Sequence, residues 1–407
     1  MKISIPRTIR LEEQLFLLTY SIYMVFSLLV NTFYYRYISG TYKYVLLFCI
    51  IMLLLQELGN RRMTKVALAG FVGLYAVVML IMVRASGEMQ RSFACVFAFA
   101  VGARNIEFKK IARITIFITV LMMLLTIGGA LAGIITNYFE QSTDRNRYYL
   151  GYLYSLYGPA YFLNVTLLSI YVKNTRIKLW VLALLAVATY WLYMKTNSRL
   201  SFYLSLISLF IGLINKLGKG WVQRLKVIPV LLIPSYIVSF FVSLLSSIYY
   251  NPSVSWQYRL NNLFGGRLNL SRLSLLRYGV SLFGNSNIDW VGHGLDEFGH
   301  RNMAEYSYVD SLYLQFLQRY GIIFVVFFLL ATTFMMIMCY RKRDYLLEII
   351  LAIIAFHGIV DNLVLYLHYN TFWLLIGSML FGYFRNSKPA EKIQRRKRRS
   401  KTLNWAG

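Results

Sequence analysis

The run ITIFITVLMMLLTIGGALAGII, Ile114–Ile135, carries no charged residue over 22 positions. As a helix it would be about 33 Å long, enough to cross the roughly 30 Å hydrocarbon layer of a bilayer. The same kind of stretch recurs on both sides of it. Upstream lie Leu15–Val30, Tyr44–Leu55, Val66–Val83 and Ser92–Gly102. Downstream lie Leu153–Val172, Leu179–Met194, Leu200–Ile214, Val227–Ile248, Leu312–Cys339, Leu346–Tyr366 and Thr371–Phe384, the tenth of the series with a polar first part. With 58% hydrophobic and 14% charged residues distributed this way, nothing in the 407 residues is left to build a separate soluble domain. The expected fold is an all-α polytopic membrane protein of about 12 transmembrane helices. Residues 1–384 would form one helical bundle and 385–407 a basic tail. No small-residue cleavage site follows Leu15–Val30, so that stretch is expected to remain as the first span.

A net charge of +27 would point a soluble protein toward nucleic acid. Here the cations follow the loops instead. If the N-terminus lies inside, 29 of the 43 Lys and Arg residues fall on the inner side and 14 on the outer. That is the asymmetry cytoplasmic loops show, and an even number of spans returns the tail to the cytoplasm with the N-terminus. The run Arg395-Arg396-Lys397-Arg398-Arg399 is then a topology anchor on anionic membrane lipid, with no role for nucleic acid. Cys49, Cys95 and Cys339 fall in or at the end of spans, without metal or disulfide spacing, and read as packing residues.

The one large break is the segment from about 249 to 310, an outer loop between spans nine and ten. It holds Arg259, Arg267, Arg272, Arg277 and Arg301 beside His293, His300, Asp289, Asp296, Glu297, Glu305 and Asp310, and no lysine. Arginine grips phosphate oxygens bidentately, where lysine acts as a point charge. The chain has 27 Arg against 16 Lys, so this set is only mildly unusual. Leu268, Leu270, Leu273, Leu275, Leu276, Tyr278, Val280 and Leu282 recur as an amphipathic helix would over 267–283, suited to the outer membrane face.

Four polar constellations stand out against the apolar background. Lys195-Thr-Asn-Ser-Arg199 opens the eighth span. Arg199 in a helix's first turn opposes the macrodipole, which makes sense if an anion sits there, although an arginine snorkelling to lipid phosphate fits equally well. Glu140, Asp144, Arg145 and Arg147 precede the aromatic run Tyr148–Tyr157, which suits an interfacial belt or a platform for sugar rings. Asp310 heads the tenth span, as an N-cap or as a carboxylate able to accept a hydroxyl proton. His357 and Asp361 fall at i and i+4 on one face of an apolar span, a supporting intramembrane pair or a structural one. No Walker loop, dinucleotide fingerprint, zinc spacing or Ser-His-Asp order occurs, so no metal or cofactor is expected.

Three passages carry a family resemblance. Asn197-Ser198-Arg199 is a small-polar-Arg outer turn, Gly266-Arg267 runs to Gly292-His293-Gly294, and Asp310-Ser-Leu-Tyr-Leu ends in Gly321. Together with the topology, the chain resembles the Wzy-type O-antigen and capsular polysaccharide polymerases and their relatives the O-antigen ligases. The resemblance implies a metal-independent membrane glycosyltransferase in the bacterial cytoplasmic (inner) membrane, multi-pass, with both termini cytoplasmic. It would join undecaprenyl-pyrophosphate-linked oligosaccharide repeats on the outer face, alongside a flippase and a chain-length regulator. In that setting Arg199, Arg267, Arg147 and Arg277 would bind pyrophosphate, with Arg267 also serving catalysis. Asp310 or His293 would be the base. Asp310 stands where the ligases usually have a histidine, and the Pro-Asn that many members carry after the position of Arg147 is missing. Two other classes compete: a lipid-linked oligosaccharide flippase or other transporter, and a metal-dependent lipid-phosphate-sugar transferase. The second needs acidic residues in the first outer loop, and Asn31–Lys43 has none.

Overall fold

A computed structural model describes residues 7–58, 65–84, 88–141, 146–225 and 227–379. The basic tail, together with Asp144 and Arg145, lies outside the described residues. The chain is mostly helical. In its first half run α1 (Arg7–Leu29), α2 (Tyr42–Leu58), α3 (Lys65–Arg84), α4 (Glu88–Gly102) and α5 (Phe108–Leu131). A hairpin of β1 (Phe139–Gln141) and β2 (Asn146–Tyr148) follows, then α6 (Tyr157–Lys173), α7 (Leu179–Thr196) and α8 (Arg199–Leu217). The second half has α9 (Val227–Leu232), α10 (Ser235–Ile248), α11 (Ser255–Leu263), α12 (Arg267–Tyr278), α13 (Leu312–Arg319), α14 (Gly321–Arg341) and α15 (Tyr345–His357). Among the described residues α5, α7, α8 and α14 are long and apolar enough to cross a membrane.

On two helices the burial pattern is inverted relative to a water-soluble bundle. On α10 the buried positions include Ser235, Ser239, Ser243 and Ser247, one per turn, while Val238, Phe241, Val242 and Leu245 are exposed. On α8, Ser201, Ser205, Ser208 and Gly212 face inward and Tyr203, Leu206, Ile207 and Phe210 outward. Small residues let helix backbones approach closely, and apolar side chains turned outward cost nothing against hydrocarbon. α15 sits deepest, packed against α6, α8, α9, α10 and α14.

Several predicted spans are shorter or broken. The ninth is split at Ile233-Pro234, where the proline lacks an N–H and its ring clashes with the preceding turn. The tenth is split at Tyr320, between α13 and α14. Gly321 has φ +87°, and a Cβ there would lie 2.3 Å from the Leu282 carbonyl oxygen. Gly284, also at φ +87°, would meet the Arg319 oxygen at 2.2 Å. Two backbones cross in contact at this point, which only paired glycines permit. The eleventh ends as an α-helix at His357 instead of continuing to Tyr366. Residues 358–373 are non-α and nearly all buried, with 3-10 turns at Leu363–Leu365 and Thr371–Trp373. Irregular backbone at such depth is tolerated when protein surrounds and satisfies it. Asn370 Nδ2 and Trp373 Nε1 both donate to the Val364 carbonyl, and Asn164 bonds Thr371. The predicted amphipathic helix over 267–283 stops at Tyr278, because Gly279 at φ +63° turns the chain and donates to the Leu275 carbonyl. Leu273, Leu276, Leu282 and Phe283 are exposed, so an apolar surface remains there.

At one end of the bundle three segments are stitched into a cap. Phe33 N–H donates to the Gly151 carbonyl, Leu153 N–H to Asn31, and Leu295 N–H to Leu153. Arg301 reaches Glu140 at 2.8 Å and Tyr149 at 3.0 Å. Ser274 of α12 accepts from Trp290 Nε1 and donates to Gln318 of α13, which returns a bond to the Ser274 carbonyl.

Candidate functional site

Under this cap, two helix corners face each other. The first is α7 to α8. Asn197 takes a left-handed conformation, φ 51°, and its N–H closes α7 on the Tyr193 carbonyl at 2.8 Å. Asparagine enters that region more readily than other residues with a side chain. Tyr193 and Phe202 stack across the corner with ring centroids 4.3 Å apart. α8 then starts at Arg199 without a side-chain cap, since Ser198 accepts no hydrogen bond from the helix. Its first N–H groups are left toward the open side.

The second corner is α11 to α12. Gly265 and Gly266, at φ +64° and +84°, make the turn, and a Cβ on either would meet open space. Conformation, not room, is what requires glycine there. Asn261 secures the corner: its carbonyl accepts from Gly266 N–H at 2.8 Å and its side chain from Asn269 N–H at 3.1 Å. The result is Arg267 at the first position of α12.

Between the corners lies a cavity of about 500 Å³ whose walls include Arg147, Tyr154, Asn197, Ser198, Arg199, Arg267, His293, Tyr306, Asp310 and Asp361. Arg267 Nε donates to Asp310 Oδ2 at 2.6 Å, and Tyr306 OH donates to the same oxygen at 3.3 Å. The His293 and Tyr306 rings lie 4.6 Å apart. Asp361 accepts from the Leu363 N–H at 2.8 Å and sits 3.3 Å from His357 Nε2.

The charge balance of the cavity favours an anion. Arg267 is matched by Asp310, and Asp361 is held by His357 and a backbone N–H. Arg147 and Arg199 have no carboxylate partner among the described residues. Glu140, which pairs with Arg147 across the β-hairpin, is taken by Arg301. Arg147 Nε is buried with no hydrogen-bond acceptor, and Asn197 Oδ1 is buried with no donor. An anion against Arg147, Arg199 and the first turn of α8 would satisfy cations and helix dipole together.

Burial pushes the Asp310 carboxyl above the usual carboxylate range, with Arg267 and Tyr306 opposing that shift. For Arg267, burial weighs against the charge, but Asp310 and Asp361 outweigh it and hold the guanidinium protonated. Tyr306 is raised by burial and by the neighbouring Asp310 charge. A raised carboxylate is a better proton acceptor than a free one, which suits a base.

Of the residues singled out in the sequence, Arg147, Arg199, Arg267, His293, Asp310 and Asp361 come to one cavity. Arg277 does not. It lies about 15 Å along α12 from Arg267, and its guanidinium packs over the Tyr278 ring at 5.2 Å. His357 stands behind Asp361, buried, and is not part of the wall. Tyr154 and Tyr306 were not anticipated individually; in a chain with 33 tyrosines no spacing marks them. Compared with known protein families, with curated proteins and with solved structures, the chain matches none.

Proposed function

We propose that the chain is a membrane glycosyltransferase that joins undecaprenyl-pyrophosphate-linked oligosaccharide repeats into a surface polysaccharide, with the cap and its cavity on the outer face. The observation that carries this reading is the meeting of Arg147, Arg199 and Arg267 with Asp310 around one cavity. In the reaction, an acceptor sugar hydroxyl attacks the anomeric carbon of the donor. The bond from that carbon to the pyrophosphate oxygen breaks. Arg147 and Arg199 take up the charge developing on the leaving pyrophosphate. Asp310, oriented by Arg267 and Tyr306, or His293 accepts the hydroxyl proton. The apolar body of the protein is then the seat of the lipid carrier. The full reading has twelve crossings, both termini in the cytoplasm, and a flippase and a chain-length regulator as partners.

The test is gel analysis of surface polysaccharide from a deletion strain complemented with the wild-type gene or Arg267→Ala. Wild type should restore long chains, and the variant should leave single repeats on lipid. Long chains undiminished by deletion would end the proposal. A ligase, which transfers finished chains to a different acceptor, would instead leave long chains on the carrier lipid.

A transport reading has its own support in the interrupted helices at Pro234 and Tyr320 and in Glu348, fully buried with neither carboxylate oxygen hydrogen-bonded. It predicts that deletion removes all surface-exposed repeats and stores them on the inner leaflet.

A further inference from the structure

At the far end of the bundle from the arginine-lined cavity, the start of α5 and the end of α6 enclose an open groove of about 700 Å³. Its two halves differ in chemistry. Three cations stand at one end: Arg113 on α5, Lys173 at the end of α6, and Arg176 in the turn that follows. All three are exposed, and none is paired with a carboxylate among the described residues. Beyond them Phe117, Leu121 and Leu124 continue along α5 at helical spacing, and all are exposed although apolar. From Arg113 to Leu124 the helix rises about 16 Å, close to half of a roughly 30 Å hydrocarbon layer.

The turn that carries Lys173 and Arg176 is anchored to the bundle. Asn174 turns the chain at φ 46° between Lys173 and Arg176, and its side-chain oxygen accepts from Asn215 Nδ2 of α8 at 2.7 Å. Ile177, directly after the turn, is fully buried. The basic end of the groove is thus tied to the bundle from two sides.

We infer that this groove binds one anionic phospholipid, its phosphate among Arg113, Lys173 and Arg176 and an acyl chain along Phe117, Leu121 and Leu124. A headgroup phosphate alone would leave the apolar stripe uncovered, and a neutral lipid would leave three cations uncompensated. The length of the stripe suits a lipid of a single leaflet. This site is separate from the proposed sugar-transfer cavity and does not depend on that reading.

The experiment follows thermal unfolding of the purified full chain in detergent as lipid is titrated in. Phosphatidylglycerol should raise the midpoint, phosphatidylcholine should raise it much less, and inorganic phosphate should leave it unchanged. The triple variant Arg113→Gln/Lys173→Gln/Arg176→Gln should bind phosphatidylglycerol about 100-fold more weakly, from roughly fivefold for each basic side chain near an anionic headgroup. Leu121→Trp keeps every charge, changes an exposed position and fills the groove, so it should also abolish the preference. Equal shifts from the two lipids, a full shift from inorganic phosphate, or an undiminished preference in either variant would overturn the inference. If the triple variant does not fold, Leu121→Trp decides alone.

Discussion

Asp310 shares its Oδ2 between Arg267 and Tyr306, so both neighbours stabilise its ionised form against burial. In the proposed role of base it must be ionised, so activity should rise with pH through its raised pKa and be lost below it. Tyr306→Phe removes one of the two donors and should move this acid limb to higher pH, as read from a pH–rate profile with lipid-linked repeats. A limb that stays put would shift the assignment to His293. Asp310→Asn should lower turnover by about 10²–10⁴-fold, the usual weight of a positioned acid or base. Arg199→Ala should cost about 10²–10³-fold, the scale of one lost donor to developing charge, with protein level unchanged. Full activity in that variant would remove Arg199 from the mechanism. Arg199 could be picked out from sequence because a cation in a helix's first turn conflicts with the dipole. Arg277 does not line the cavity, since loop membership says nothing about which way a helix turns its far end.

At the scale of elements, two glycine pairs make opposite demands. Gly266→Ala meets open space and pays only for its left-handed backbone, roughly 1–2 kcal/mol. Gly321→Ala adds a collision with the Leu282 carbonyl and should cost about 3 kcal/mol or more. Fluorescence-detected size exclusion after graded heating separates the two; equal tolerance would contradict the crossing at Gly284 and Gly321. Pro234 breaks a stretch, Val227–Ile248, whose unbroken apolar composition reads as one span, although the residue that splits it is itself visible in the sequence. The buried segment 358–373 is different. Leu363, Val364, Leu365, Leu367, Phe372 and Trp373 give it the composition of a span, and its departure from the α-helix depends on side chains such as Asn164, far away in sequence. Composition reports burial there, but the backbone path follows from tertiary hydrogen bonds.

Across the whole molecule, sidedness can be checked with thiols, because Cys49, Cys95 and Cys339 are all buried and should give little background. Ser286→Cys in the cap should react with a membrane-impermeant maleimide in intact cells, and Thr175→Cys at the opposite end only after permeabilisation; both positions are exposed. The reverse pattern would invert the topology. The helical class and the long apolar helices α5, α7, α8 and α14 were legible in the distribution of apolar residues, whereas the joining of 31–33, 151–153 and 295–301 into one cap could not be, since its bonds are mostly backbone to backbone. That joining bears on how the protein can be re-engineered. A chimaera that exchanged only residues 249–310 for those of another such protein would separate Arg301 from Glu140, Leu295 from Leu153 and Glu297 from Ser39. The cap therefore holds together as a unit, and an exchange that keeps it intact has to transplant all three of its segments together.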